Sequence, residues 1–359
     1  MEAARNTPSF TTNNVRTLDE LTTWLAGSDE EILDPALPIV DPHHHLRDTA
    51  HGRYYLPELA ADLAGGHNVR ATVFVDSQSM HRAGGPDLLR PVGETEFVIA
   101  SLAAAAGTRV ARWNPCAGIV GNLDLTHGAD VRAALEAHIA AGNGRFRGIR
   151  DPLMWDASDI NYGVRRPPCD RMTDPRFRAG LAQLAPLGMT FDAWLFHHQI
   201  PLLTELARDF PGTTIILNHV GAPLGVGPYA GRREEVFANW RDSLGELARC
   251  PNVVVKLGGL GMLFFGFGFE RRDAPATSAE LASAWRPYIE TCIAAFGPAR
   301  CMFESNFPVD KQTCGYATLW NAFKRIAAGY TASEKADMFF GTANRVYRLR
   351  LESTPAAVN

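Results

Sequence analysis

The chain has 359 residues, 46% of them hydrophobic and 21% charged, which is typical of a globular protein. Its formal net charge of -4 excludes an electrostatic attraction to nucleic acid or to an anionic membrane. The most apolar loop, residues 258–269, is about half as long as a membrane span and is interrupted by glycines. These features predict a soluble protein that acts on a small molecule.

Residues 1–37 are polar and contain no apolar segment of the kind that secretory signals have. Within them, leucines and Trp24 follow Thr17 at helical spacing, which predicts a short helix on the outside of the main domain. Six cysteines are scattered along the chain without Cys-x-x-Cys spacing, so neither a zinc ribbon nor a thioredoxin-type site is indicated. A reduced, cytoplasmic environment fits this usage best.

From residue 38 onward the chain repeats a short apolar run, a loop rich in Gly, Pro or polar residues, and an amphipathic helix. The apolar runs are residues 38–45, 71–77, 118–123, 146–150, 190–197, 213–219, 252–257 and 300–305. The main helical segments are residues 93–106, 129–141, 174–187, 201–209, 232–249, 278–296 and 333–348. Eight alternating units within about 270 residues predict a closed (β/α)8 TIM barrel of the α/β class. We expect one domain over residues 38–350, an N-terminal extension over 1–37 and a tail over 351–359.

In a TIM barrel the active site lies at the C-terminal ends of the strands, so polar residues at those ends are candidates for function. The first run ends in three histidines, and alternation along a strand places His43 and His45 on one face with Asp41, and His44 on the other. Further candidates stand at the ends of the fifth, sixth and eighth runs: His197, His219, Glu304, Asn306 and Asp310. Histidines at three strand ends and acids at a fourth indicate one shared polar site.

These motifs resemble those of the amidohydrolase superfamily, in particular the branch of pyrone-dicarboxylate lactonase and the sugar-acid lactonases. The resemblance covers about residues 38–348, and its first and last segments are the most specific. The segments are residues 41–45, 146–150, 218–221, 256–259 and 305–308. The resemblance implies an amidohydrolase-like barrel hydrolase that opens a lactone or another cyclic ester by adding water at the barrel mouth.

One position departs from the family pattern. Family members generally have an aspartate in the strand-eight motif, as metal ligand, general base or both, and this chain has Asn306. A neutral amide takes no proton from water near neutral pH and is a poor metal ligand. Glu304 is the first substitute, with an ion pair at the barrel rim as its alternative role, and Asp310 is the second. The change also allows a catalytically inactive barrel that only binds a ligand.

The same change bears on the cofactor. His43, His45 and either His197 or His219 could supply three nitrogen ligands to one zinc or manganese ion. The resembled branch includes lactonases that work without metal, in which histidines and arginines polarise the carbonyl. We favour the metal-free form. The alternative enzyme is a metal-dependent decarboxylase or C–C hydrolase of the same superfamily.

Substrate-binding candidates surround these residues. Arg150 is expected to hold a substrate carboxylate or to stabilise an oxyanion, and Lys256 is a second cation that is often structural in such strands. Tyr54 and Trp155 are expected to form an aromatic wall, and His197 to contact the substrate. Phenylalanines and glycines in residues 258–269 predict a mobile lid for an aromatic substrate or, alternatively, a surface that packs on another subunit of a homo-oligomer.

Overall fold

The computed structural model describes residues 14–158, 160 and 167–352. Eight strands form one parallel sheet in chain order. These strands, β1 to β8, are Ile39–His44, Val69–Val75, Gly118–Asn122, Phe146–Pro152, Thr190–Trp194, Ile215–Leu217, Val253–Leu257 and Cys301–Phe303. A parallel bridge between His44 and Phe307 brings the chain after β8 back to β1. The predicted TIM barrel is therefore confirmed, and each predicted apolar run supplies one strand.

Helices surround the barrel. Their bounds, α1 to α11, are Leu18–Leu25, Leu56–Leu63, Val92–Ala104, Val131–Ala141, Pro175–Leu181, Ile200–Asp209, Arg233–Leu247, Ser278–Phe296, Tyr316–Ile326, Ala332–Ala336 and Thr342–Val346. The helical segments predicted from the sequence do not include α2, which is short, or α9, most of whose residues are buried. A π-helical turn, Asp337–Gly341, divides the last predicted helix in two.

Strand residues alternate between two apolar cores, as a barrel requires. Outward side chains such as Phe74 and Phe191 pack under the helices. Inward side chains such as Val40 and Ile216 pack against the C-terminal segment, which contributes Tyr347. Because these inward residues lie near the strand beginnings, the apolar core fills the N-terminal part of the barrel. Polar side chains in the barrel are therefore concentrated towards the C-terminal ends of the strands.

The predicted N-terminal helix is present as α1. Thr17 caps it by accepting a hydrogen bond from the Glu20 amide, and the Glu20 carboxylate accepts one from the Thr17 amide. The Leu18 amide donates to the His51 carbonyl at 2.8 Å, in the short hairpin Arg47–Thr49 and Gly52–Tyr54 that follows β1. The extension thus lies against loops at the barrel mouth. All six cysteines are free, and no helix in the described part of the chain has the length and apolar content for crossing a bilayer.

Candidate active site

Strand β1 directs two imidazoles into the barrel. The buried rings of His43 and His45 meet edge to face with centroids 5.0 Å apart. His44 points the other way, with its Nε2 2.8 Å from the Thr72 hydroxyl on β2. The alternation predicted for the three histidines is therefore present.

The prediction that Asp41 lies on the same face as His43 and His45 is wrong. The pairing of β1 with β2 shifts register between Asp41 and His44, so regular alternation does not hold across this segment. The Asp41 carboxylate accepts hydrogen bonds from the Ser305 amide at 2.9 Å and from the Tyr316 hydroxyl of α9 at 3.0 Å. Asp41 therefore ties β1 to the segment after β8.

Glu304, directly after β8, bridges two imidazoles. Its Oε2 lies 2.7 Å from His43 Nδ1, and its Oε1 lies 2.7 Å from His219 Nδ1. The contact to His43 has hydrogen-bond length without hydrogen-bond geometry, so Oε2 has no hydrogen-bond partner in the described structure. Burial raises the pKa of Glu304 to about 8 and lowers the pKa of both histidines. The cluster thus consists of two neutral rings and one readily protonated carboxylate.

The chain after β7 passes directly over this cluster. Gly259 has φ +71°, and a Cβ there would lie 2.4 Å from His219 Nδ1. A Cβ at Gly258 would lie 2.5 Å from Glu304 Cγ. His219 itself has φ +53°, a left-handed conformation that costs energy for a residue with a side chain. Glycines thus permit the close approach of this loop, and backbone strain is located at the site.

Two cations approach His43, and each is paired with an acid. Arg150 donates from Nε to Asp76 Oδ1 at 2.6 Å, and its Nη1 lies 3.3 Å from His43 Nε2. Lys256 Nζ lies 2.8 Å from Asp192 Oδ1 and 3.2 Å from His43 Nδ1. Lys256 is completely buried, so in this conformation it contacts the histidines rather than a substrate.

Asn306 and Asp310 hold the loop after β7. The Asp310 carboxylate accepts hydrogen bonds from the Gly261 amide at 2.9 Å and from the Asn306 side chain at 2.8 Å. Burial raises the pKa of Asp310 to about 8. Neither residue makes a hydrogen bond to an imidazole within the described part of the chain, so the acid that meets the histidines is Glu304.

His197 lies apart from the other predicted histidines. Its Nδ1 accepts a hydrogen bond from the Leu224 amide at 3.4 Å, and its ring packs on Tyr229 with centroids 5.3 Å apart. The described structure does not bring it into the group of His43, His219 and Glu304. His197 supports the chain after β6 instead of completing a ligand set.

The predicted aromatic wall is only partly where we expected it. The buried Tyr54 donates its hydroxyl to Asp62 Oδ2 at 2.7 Å, which makes it a structural residue. Trp155 stands edge to face with His198, at a centroid distance of 6.5 Å. The aromatic ring that touches the cluster is Trp194, whose centroid lies 4.7 Å from that of His219.

The loop at residues 258–269 forms a packed roof. Phe264 is fully buried and packs on Trp194 with centroids 5.5 Å apart, and its carbonyl accepts a hydrogen bond from the Gly225 amide at 2.7 Å. Phe265 is also fully buried. These two rings are therefore part of the chain's own core and are unavailable to a second subunit in this conformation.

A cavity of about 360 Å³ opens at the C-terminal ends of β3 and β4, where Asp151 follows Arg150. Its lining includes Asn122, Asp124 and Arg171. Arg171 Nη2 lies 2.7 Å from Asp151 Oδ2 and 2.8 Å from Asp124 Oδ1. None of the residues that line this cavity belongs to the group of His43, His219 and Glu304.

Sequence reasoning missed Asp76, Asp192 and Trp194. The two acids do carry a signal, since each is a single carboxylate within or directly after an apolar strand and such a group needs a partner. The sequence does not show that their partners are Arg150 and Lys256, which lie 74 and 64 residues away along the chain.

His43, His219 and Glu304 can hold one divalent cation. Their donor atoms lie within 4.8 Å of one another, and two imidazoles with a carboxylate are a donor set that zinc accepts. The buried Glu304 Oε2 without a hydrogen bond fits such an ion. The Lys256 ammonium, 4.0 Å from that oxygen, would oppose it by charge repulsion. His45, an expected ligand, lies next to His43 but outside this set.

The sequence is similar to those of two known proteins. The chain is 34% identical over 327 residues to the uncharacterized protein y4mH of Sinorhizobium fredii, covering 87% of this chain and 99% of that one. It is 30% identical over 227 residues to an L-fucono-1,5-lactonase of Burkholderia multivorans, covering 61% of this chain and 69% of that one.

The fold matches that of a solved amidohydrolase from Burkholderia multivorans with bound zinc. The TM-score is 0.65 at 25% identity, and the match covers 86% of this chain and 99% of that chain. The family model described as amidohydrolase matches residues 40–349. The chain therefore belongs to the amidohydrolase family.

Proposed function

We propose that the protein hydrolyses the ester bond of a lactone. The observation that carries this proposal is the buried Glu304 carboxylate, which contacts the Nδ1 atoms of both His43 and His219 at 2.7 Å. A carboxylate that orients an imidazole is the arrangement of a general base. The relative named L-fucono-1,5-lactonase supports a hydroxyl-bearing lactone.

His219 accepts the proton of the attacking water. When Glu304 is ionised, its hydrogen bond assigns the ring proton of His219 to Nδ1, so His219 Nε2 carries a lone pair. Water loses a proton to His219 Nε2 and adds to the carbonyl carbon. The ring C–O bond then breaks, and the leaving alkoxide takes the proton back from His219, so the product is the hydroxy acid.

Arg150 stabilises the oxyanion that forms when water adds. We expected the histidines to polarise the substrate carbonyl by donating hydrogen bonds to it. His45 Nδ1, however, lies 2.9 Å from the backbone carbonyl of Val75, so Nδ1 carries the ring proton and Nε2 has a lone pair. Neutral rings in this tautomer accept hydrogen bonds instead of donating them to a carbonyl. Asp76 fixes the Arg150 guanidinium, whose Nη1 faces His43.

A divalent ion held by His43, His219 and Glu304 would supply carbonyl polarisation and a bound water of lowered pKa. Elemental analysis of protein purified without a metal-affinity tag tests whether the site binds one. Zinc or manganese at one equivalent, lost in the His43→Ala variant, would assign the ion to this site.

A panel of aldonolactones, carboxylated lactones and unsubstituted lactones, assayed with EDTA and with added zinc or manganese, tests the proposed reaction. We expect hydrolysis above the spontaneous rate for at least one aldonolactone. The proposal would be refuted by hydrolysis of no lactone under any condition, or by release of carbon dioxide from aromatic acids in its place.

A further inference from the structure

Three cations act electrostatically on the histidines of the site. Arg150 and Lys256 lower the pKa of His43 and His219, and Arg150 and Arg47 lower the pKa of His45. Arg150 is neutralised by Asp76 and Lys256 by Asp192, at distances of 2.6 and 2.8 Å. Each of these two cations is therefore already paired with an acid.

Arg47 is different because it has no acid partner. It stands two residues after His45, where the hairpin Arg47–Thr49 begins at the C-terminal end of β1, and it is half-buried. Its guanidinium makes neither a hydrogen bond nor an ion pair within the described residues. Arg53 of the same hairpin provides a contrast, since it is exposed and lies 3.6 Å from Glu58.

A half-buried arginine without a hydrogen-bond or ion-pair partner destabilises the protein when no ligand is bound. Burial lowers the pKa of Arg47 to about 10, and no carboxylate opposes that effect. The planar guanidinium can donate two parallel hydrogen bonds to one carboxylate. These bonds would replace the hydrogen bonds to water that the group loses on burial. Among the described residues, Arg47 thus places an unpaired positive charge at the barrel mouth, near enough to His45 to act on it electrostatically.

We propose that Arg47 binds an anionic group of the substrate, a carboxylate carried by the lactone. This inference rests on the proposed function. It transfers to Arg47 the carboxylate-binding role that the sequence assigned to Arg150, whose guanidinium is held by Asp76. Arg150 then acts on the reacting carbonyl, and Arg47 fixes the other end of the substrate on the β1 side of the mouth.

Steady-state kinetics on a carboxylated lactone and its neutral primary amide test the proposal. The wild type should prefer the carboxylate by at least tenfold in kcat/KM. Arg47→Gln should raise KM for the carboxylated lactone at least tenfold and leave KM for the amide unchanged. Arg53→Gln, the matched control in the same hairpin, should change neither value.

A binding measurement separates this proposal from the proposed reaction. Calorimetric titration with the carboxylated lactam, which resists hydrolysis, should show at least tenfold weaker binding to Arg47→Gln than to wild type, even if no lactone is turned over. Inorganic phosphate is titrated in parallel, and phosphate binding of equal affinity would identify a general anion site and contradict a substrate site. Equal effects of Arg47→Gln on the acid and the amide would also overturn the proposal.

Discussion

A carboxylate that is fully buried between two imidazoles must share its proton with them. For Glu304 the cost of burial favours the protonated form, whereas for His43 and His219 it favours the neutral ring. Glu304 therefore loses its proton near pH 8, whereas both rings are already neutral below that pH. Hydrolysis that depends on ionised Glu304 should increase as the pH rises through this range.

The geometry of Arg150 gives a prediction at the residue scale. Arg150→Lys should lower kcat/KM by about 100-fold, because a lysine cannot contact both Asp76 and the reacting carbonyl as the planar guanidinium does. The measurement is hydrolysis of the preferred lactone, with Arg147→Lys as the control, since Arg147 bonds backbone carbonyls on the same strand. Equal activities of both variants would argue against a role for Arg150.

Residue types could be predicted here more readily than their partners. His43 and His45 share a face because the period of a strand is two, and Glu304 could be chosen because Asn306 cannot act as a base. Asp41 was misplaced because a register shift interrupts that period. Which acid neutralises Arg150 or Lys256 depends on barrel packing, and no local pattern encodes it.

At the scale of elements, the loop after β7 determines how closely the site is covered. Its glycines lie against side chains of the site, and its phenylalanines fill the space above Trp194. The sequence indicated a lid from the alternating glycines and phenylalanines. It did not indicate that Phe264 and Phe265 are buried, because burial depends on the loop at Gly225, which contacts this segment across the barrel rim.

Two glycines of this loop give a matched comparison. Gly259→Ala should lower the free energy of unfolding by at least about 2 kcal/mol and abolish hydrolysis, because its φ is positive and its Cβ would overlap His219. Gly268→Ala has a similar φ of +76° with no atom within 4 Å of the added Cβ, so it should cost only about 1 kcal/mol and retain activity. Urea unfolding measures the free energy of unfolding of both variants, and a lactone assay measures their hydrolysis. Equal losses of stability in the two variants would mean that the loop at residues 258–269 does not pack tightly against His219.

At the scale of the whole molecule, many ionisable groups are buried in one barrel, and their shifts make stability depend on pH. Histidines with a lowered pKa bind fewer protons in the folded state, so they raise stability as pH increases, up to about pH 6.5. Carboxyl groups with a raised pKa, such as Glu304 and Asp310, bind more protons in the folded state than in the unfolded state. They therefore lower stability as the pH increases, up to about pH 8.

The free energy of unfolding should therefore fall between pH 6.5 and 8, where only the carboxyl groups still contribute. Each such proton contributes a slope of at most about 1.4 kcal/mol per pH unit. Asp310→Asn removes one titrating group and should flatten the slope by part of that amount. Chemical denaturation at several pH values measures this, and a stability that rises over this interval would contradict the burial of these carboxyl groups as ionisable residues.

The barrel itself could be predicted because each strand is a short apolar run and the strands occur in regular alternation with helices. The packing of the C-terminal segment against the inside of the barrel could not be predicted, since Tyr347 belongs to a segment whose sequence predicts one ordinary helix. Its hydroxyl donates to Asp192 at 3.0 Å within the barrel. Only the assembled fold brings the end of the chain to the residue that pairs with Lys256.

The central claim is that Glu304, and not Asp310, is the carboxylate on which the general base His219 depends. Hydrolysis by Glu304→Gln and by Asp310→Asn, each checked for folding by thermal denaturation, tests it most directly. We predict a loss of at least about 1,000-fold in kcat/KM for Glu304→Gln and less than about tenfold for Asp310→Asn. Retained activity in Glu304→Gln together with its loss in Asp310→Asn would contradict the account and assign the base to Asp310.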